Sequence, residues 1–186
     1  GIGEFPFYYA QIAPFNYNKG EGKGQNSAYL REAQAKCLGI VPSSGMIILT
    51  DIGDARTIHP MEKETVGNRF AYMALGLTYG KKGFPVTGPL YKSMQIEGNK
   101  IAVSFDEVGK GLTTYRQPLT GFEIASEDRV FHPANAHLGK DAQTVVVSSP
   151  EVPHPVAVRY AFKDYVKGCL YNMFGLPVSS FRTDDW

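Results

Sequence analysis

The residues whose types and spacing could do chemistry lie in one stretch, TDIGDARTIHP, from Thr50 to Pro60. Two carboxylates, Asp51 and Asp54, stand eight and five residues before His59. All three follow a short apolar run, MIILT (Met46 to Thr50), that reads as a buried strand. A loop of this kind can hold an imidazole against a carboxylate, the pair with which hydrolases activate a nucleophile. Asp54 lies near enough for the loop to fold back onto the ring, whereas Asp51 leaves the strand directly and would be better fixed. Asp54 is the favoured partner, although Asp in a turn also bonds its own backbone. No nucleophile comes with the pair.

The alternatives are weaker. His132, His137 and His154 fall among strands and turns and read as surface or packed histidines. His59 instead ends a loop at the carboxyl end of a strand, where α/β folds place their sites. It has no second His or Cys at ligand spacing, so no metal site is expected. Asp51 and Asp54 share one turn, a poor way to bracket a glycosidic bond. The loop NYNKGEGKGQN (Asn16 to Asn26) resembles a phosphate cradle only loosely and lacks its strand-turn-helix context, so no cofactor is expected.

The elements that must position this loop fall into two textures. FPFYYAQIAPF (Phe5 to Phe15) is apolar with little alternation, as in a strand covered on both faces. Ser27 can cap a helix over SAYLREAQAKCLGI that stops at Gly39. Pro60 suits the first position of a second helix, whose Val66, Phe70, Met73, Ala74 and Leu77 form one apolar face. Strand, helix, strand, helix over about 80 residues is half of an α/β sandwich. Beyond Gly83 the pattern alternates. A hairpin turns at Gly98-Asn99, and further strands are expected within 119–126, 129–138, 143–149 and 155–162, as in an all-β sandwich. The aromatic tail from Cys169 is expected to pack. The predicted division is an α/β unit over 1–82 and a β-sandwich-like unit over 88–186.

The 186 residues carry 19 basic and 18 acidic side chains, which argues against a nucleic-acid face or an electrostatic membrane anchor. No apolar run is long enough to span a bilayer. Eleven Tyr and eleven Phe suit β-structure, and Tyr91, Tyr115, Tyr160 and Tyr165 are candidates by type to line a sugar site. Cys37 and Cys169 are placed in different units, with no disulfide expected. GIGEFPFYY lacks the basic segment and apolar core of a signal peptide and reads like the middle of a domain.

PFYYAQIAPFNY, the LREAQ helix, TDIGDARTIHPMEKETVGNR, TGPLYKSM, EGNKIAVSFD, LTGFEIA, TVVVSSPEVPHPVAVRYAF and LYNMFGLPVSSFRTDDW resemble, in order, bacterial sialate O-acetylesterases of the GDSL/SGNH hydrolase superfamily. The resemblance spans essentially the whole chain. It implies the C-terminal part of a three-layer α/β/α hydrolase domain, then an accessory β-domain, and serine-dependent removal of acetyl groups from sugar hydroxyls. It implies a periplasmic or secreted parent protein. His59-Pro60 matches the superfamily's late Asp-x-x-His-Pro block, but Arg56 stands where that block has its Asp, which passes the acidic role to Asp54, Asp51 or a backbone carbonyl. The superfamily's serine lies in an N-terminal block that this chain lacks. Ser27, Ser43 and Ser44 do not match that block. The resemblance therefore implies two partners: an O-acetylated sugar, and an N-terminal half that carries the nucleophile. The rival reading is a non-catalytic carbohydrate-binding module.

Overall fold

The computed structural model describes residues 1, 3–17 and 24–186. The glycine-rich loop over 16–26 lies largely outside the described residues. The chain is mostly strand with few helices, in sheets that do not close.

The first part runs strand, helix, strand, helix, as its periodicity predicts. Strand β1 (Phe7–Ala10) leads to helix α1 (Asn26–Cys37), strand β2 (Ser44–Ile47) and helix α2 (Lys63–Met73). β1 and β2 pair in parallel, Phe7 opposite Ser44 and Ala10 opposite Ile47. Ile47, Leu49, Ala13 and Met73 form the core between this sheet and α2, with Val66 and Phe70 packed beside them. Three expectations need correction. β1 is shorter than Phe5 to Phe15, and Phe5 and Phe7 are about half exposed where the chain enters it; beyond them α1 covers one face through Tyr9 and Gln11, and Tyr8 and Ala10 pack on the other against the core beside α2. α1 begins at Asn26, one residue before Ser27, because the Ser27 hydroxyl faces Asp164 across the fold (3.0 Å) rather than its own backbone. Pro60 does not open α2: the first helical bond runs from Val66 N–H to the Glu62 carbonyl (3.1 Å), and Pro60 lies in the preceding bend. A π-helical turn over Ala74–Thr78 follows α2, and Leu77, though half exposed, keeps its side chain against Gly45 of β2 beside Met73.

The second part is built from strands. β3 (Leu90–Glu97) and β4 (Lys100–Asp106) form the predicted hairpin, with Gly98 at φ +63° in its turn. β5 (Leu112–Thr113), β6 (Phe122–Ala125), β7 (His132–Pro133), β8 (Asn135–Leu138), β9 (Thr144–Ser148) and β10 (Ala157–Tyr160) follow. β11 (Tyr171–Asn172) and β12 (Phe181–Arg182) come from the tail. One four-stranded sheet has the order β3-β4-β9-β8, the other β12-β10-β6-β7, and β5 pairs with β11 apart from both. Strict alternation on β4 sends Ile101, Val103 and Phe105 inward, where they share one core with Val145 and Val147, and with Phe122, Ile124, Val158 and Phe181 from the facing sheet. The tail packs as expected, with Leu170, Leu176, Val178 and Phe181 buried.

The tail is also the seam between the two parts. Arg31 on α1 is fully buried and donates to Ser180 Oγ (2.9 Å), the Ala161 carbonyl (3.3 Å) and the Lys163 carbonyl. Burial pulls its guanidinium down to about 10, partly offset by Asp164, so it stays charged at neutral pH. Gln11 bonds Ser179 (2.8 Å), and Thr50 Oγ1 donates to the Val178 carbonyl (2.8 Å). Arg159 and Asp184 form a buried ion pair within the second part. Polar atoms in such a seam must find partners to repay lost hydration, so they fix one relative placement of the two parts.

Candidate functional site

Both parallel strands end at the same edge, and the Thr50–Pro60 loop leaves from it. Gly53 lets the loop sit on the turn after β1: a Cβ there would lie 2.4 Å from the Pro14 carbonyl oxygen. The loop then carries His59 to the surface, where the residue is exposed. Its backbone N–H bonds Thr57 Oγ1 at 3.2 Å, and among the described residues no hydrogen bond reaches its ring.

The two aspartates take different positions. Asp51 is buried and locked by Arg69 from α2, with Nη1 to Oδ1 at 2.9 Å and Nη2 to Oδ2 at 2.6 Å. Arg69 Nη1 also donates to the Ile48 carbonyl at 2.7 Å. Both oxygens of Asp51 thus serve a bidentate pair that ties the strand end to the helix. Asp54 accepts the Arg56 backbone N–H at 2.7 Å, and the Arg56 guanidinium stands 3.6 Å away. That backbone bond holds the Asp54 carboxyl below the usual carboxylate range. In this chain neither carboxylate is hydrogen-bonded to His59. Arg56, three residues before His59, points into solvent.

The remaining predicted residues are dispersed. His132 pairs with Glu151 at 3.0 Å, while His137 and His154 are exposed. Among the described residues no cluster of His, Cys, Asp or Glu could hold a metal ion, and no helix is long and apolar enough to cross a membrane. Cys37 and Cys169 are both free thiols. Among the candidate tyrosines, Tyr160 is unavailable to a ligand: it is wholly buried and its hydroxyl accepts the backbone N–H groups of Cys169 and Leu170 at 3.0 and 3.1 Å. Tyr91 is stacked on Phe181. Tyr115 is exposed, with its ring beside Tyr171 at 5.4 Å between centroids.

Two contributors escaped sequence reasoning. Arg69 sits between Val66 and Met73 on the inward face of α2, and a charge on an apolar stripe signals a buried partner. Gly168 donates to the Thr50 carbonyl at 2.8 Å, and a Cβ there would lie 3.0 Å from Thr50 Oγ1. The sequence holds no local signal for that contact, which joins residues far apart in the chain.

The fold matches that of one solved structure. That protein is a carbohydrate acetylesterase from Xanthomonas citri, which superposes with a TM-score of 0.88 at 37% identity over 97% of this chain. The chain spans 41% of the length of that protein. No protein-family model matches the chain, and no curated protein matches it.

Proposed function

We propose that this chain is the C-terminal part of a carbohydrate O-acetylesterase of the SGNH type. In this reading β1, β2 and their helices are the last elements of a three-layer α/β/α hydrolase domain, over 1–82. The β-sandwich-like unit over 88–186 is its accessory domain. The observation that carries the reading is the likeness of nearly the whole chain, at 37% identity, to an acetylesterase more than twice its length. A parallel sheet of only two strands, with helices on both faces, fits a sheet continued by further strands at its edges.

His59 is the general base. It takes the proton from a serine hydroxyl supplied by the N-terminal half of the protein as that oxygen attacks the acetyl carbonyl. It then returns the proton to the departing sugar oxygen, and water repeats the cycle on the acetyl-enzyme. Asp54 orients the ring, because its carboxylate lies in the same exposed loop and is held ionised by the Arg56 backbone. To do so it turns its free oxygen toward the imidazole. Asp51 instead braces the loop, since both its oxygens are engaged by Arg69. The substrate is an O-acetylated sugar or glycan, sialate being the member of that class nearest the sequence resemblance. The setting is periplasmic or secreted, where such glycans are met.

Acetate release from acetylated sugars by the longer protein, with and without His59→Ala, tests the proposal. Loss of at least about 10³-fold in kcat/KM is expected when the base of such a triad is removed. Unchanged turnover in the variant would refute it.

A further inference from the structure

A groove of about 530 Å³ opens where β5, β11 and the segment over 167–169 meet, within the size range of small-molecule sites. The Tyr115–Tyr171 ring pair lines it, together with the polar side chains of Gln117, Thr120 and Lys167. Burial pushes the Tyr171 hydroxyl up to about 12, with the charge of Asp51 adding to the effect; it stays protonated and donates to the Gly168 carbonyl at 3.4 Å, which leaves its oxygen to accept from a ligand.

Several constraints hold the groove open before any ligand arrives. Tyr115 and Arg116 are consecutive non-glycine residues in the left-handed region, at φ +50° and +64°. Side chains rarely adopt that conformation, and here it presents the Tyr115 ring outward, 54% exposed. The Tyr115 N–H is tied to Thr113 Oγ1 at 3.1 Å. Across the groove, the Thr120 N–H donates to Cys169 Sγ at 3.3 Å, and Cys169 hangs from the buried Tyr160 hydroxyl. Gly168 between them is bonded to Thr50, the first residue of the histidine loop. The groove wall and the loop therefore share one backbone junction.

We infer that this groove is a carbohydrate subsite, binding a pyranose unit of the glycan next to the acetylated one, with Tyr115 as its stacking platform. The inference rests on the proposed function, because it supplies a place for the sugars that flank the reacting one. A pyranose has the matching chemistry: an apolar face of C–H groups that packs on an aromatic ring, and a rim of hydroxyls for Gln117, Thr120, Lys167 and the Tyr171 hydroxyl. A ring pair already held in place loses little entropy on binding, which is how a shallow site gains affinity.

Isothermal titration calorimetry of the 186-residue chain with tetrasaccharides of β-1,4-linked xylose and β-1,4-linked glucose tests it. Binding to at least one is expected, weakened at least tenfold by Tyr115→Ala and retained within threefold by Tyr115→Phe. Tyr115→Asn removes the ring with a residue that tolerates the left-handed backbone, so the same loss there separates stacking from loop distortion. Tyr79→Ala, an exposed tyrosine outside the groove, should leave binding unchanged. No binding to either tetrasaccharide, or binding indifferent to Tyr115→Ala and Tyr115→Asn, would overturn the inference. The readout needs no turnover: Tyr115-dependent binding with no acetate release from the longer protein would sink the esterase reading and leave the groove standing.

Discussion

Asp51→Leu should cost far more than its place in a loop suggests, because it strands a buried cation. Arg69 is 6% exposed and Asp51 9%, and they meet through two short bonds of 2.9 and 2.6 Å. Removing one member of such a pair costs about 3–5 kcal/mol, mostly as the desolvation of the charge left behind. Arg69→Met should cost a similar amount for the mirror reason. The double variant should recover most of the loss, since an apolar pair of similar volume needs no hydration repaid. Its residual cost, about 1–3 kcal/mol, is that of the Ile48 carbonyl left without the Arg69 donor. Urea unfolding followed by circular dichroism measures all four proteins. With a slope of about 2 kcal/mol/M, each single variant should lower the midpoint by about 1.5–2.5 M, and the double by less than either. A double variant as unstable as the sum of the singles would refute the pairing, as would single variants within about 1 kcal/mol of the parent chain.

Other outcomes follow from the same geometry. Gly88→Ala places a Cβ 1.9 Å from the Pro177 carbonyl oxygen, backbone that cannot yield cheaply, and should cost about 3 kcal/mol or more. A urea midpoint equal to that of the parent chain would show that contact to be wrong. Tyr171 binds its proton more tightly folded than unfolded, so its contribution to stability is whole below pH 10, the ordinary value, and fades as pH rises toward about 12. Absorbance at 295 nm should therefore show late phenol ionisation in the parent chain, with its amplitude near pH 12 smaller by one phenol in Tyr171→Phe. His59→Ala should leave the urea midpoint of the 186-residue chain unchanged, because the residue is exposed and its ring holds nothing together.

What could be read from the sequence was what depends on neighbours in the chain. The alternating runs and the turn at Gly98 between them are local patterns, and both stand as expected, the alternation on β4 sending Ile101, Val103 and Phe105 inward. His59 was visible for the same reason: strand, acidic turn and histidine follow one another directly. Element limits were less legible. Pro60 suited a helix start, yet the first helical carbonyl belongs to Glu62. The site's tertiary bonds were the least legible. Asp51 and Asp54 look alike in sequence, and only the fold gives one to Arg69 and the other to the Arg56 backbone. Tyr115 reaches Tyr171 only because β5 pairs with β11, two strands of two residues each that carry almost no pattern of their own.

The central claim is that His59 serves a serine outside this chain, and acetate release compares the two situations directly. The 186-residue chain alone should not turn over p-nitrophenyl acetate. The longer protein should release acetate from an acetylated oligosaccharide and lose at least about 10³-fold in kcat/KM on His59→Ala. Appreciable turnover by the 186-residue chain, abolished by His59→Ala, would contradict the account, as would full activity of the longer protein without His59.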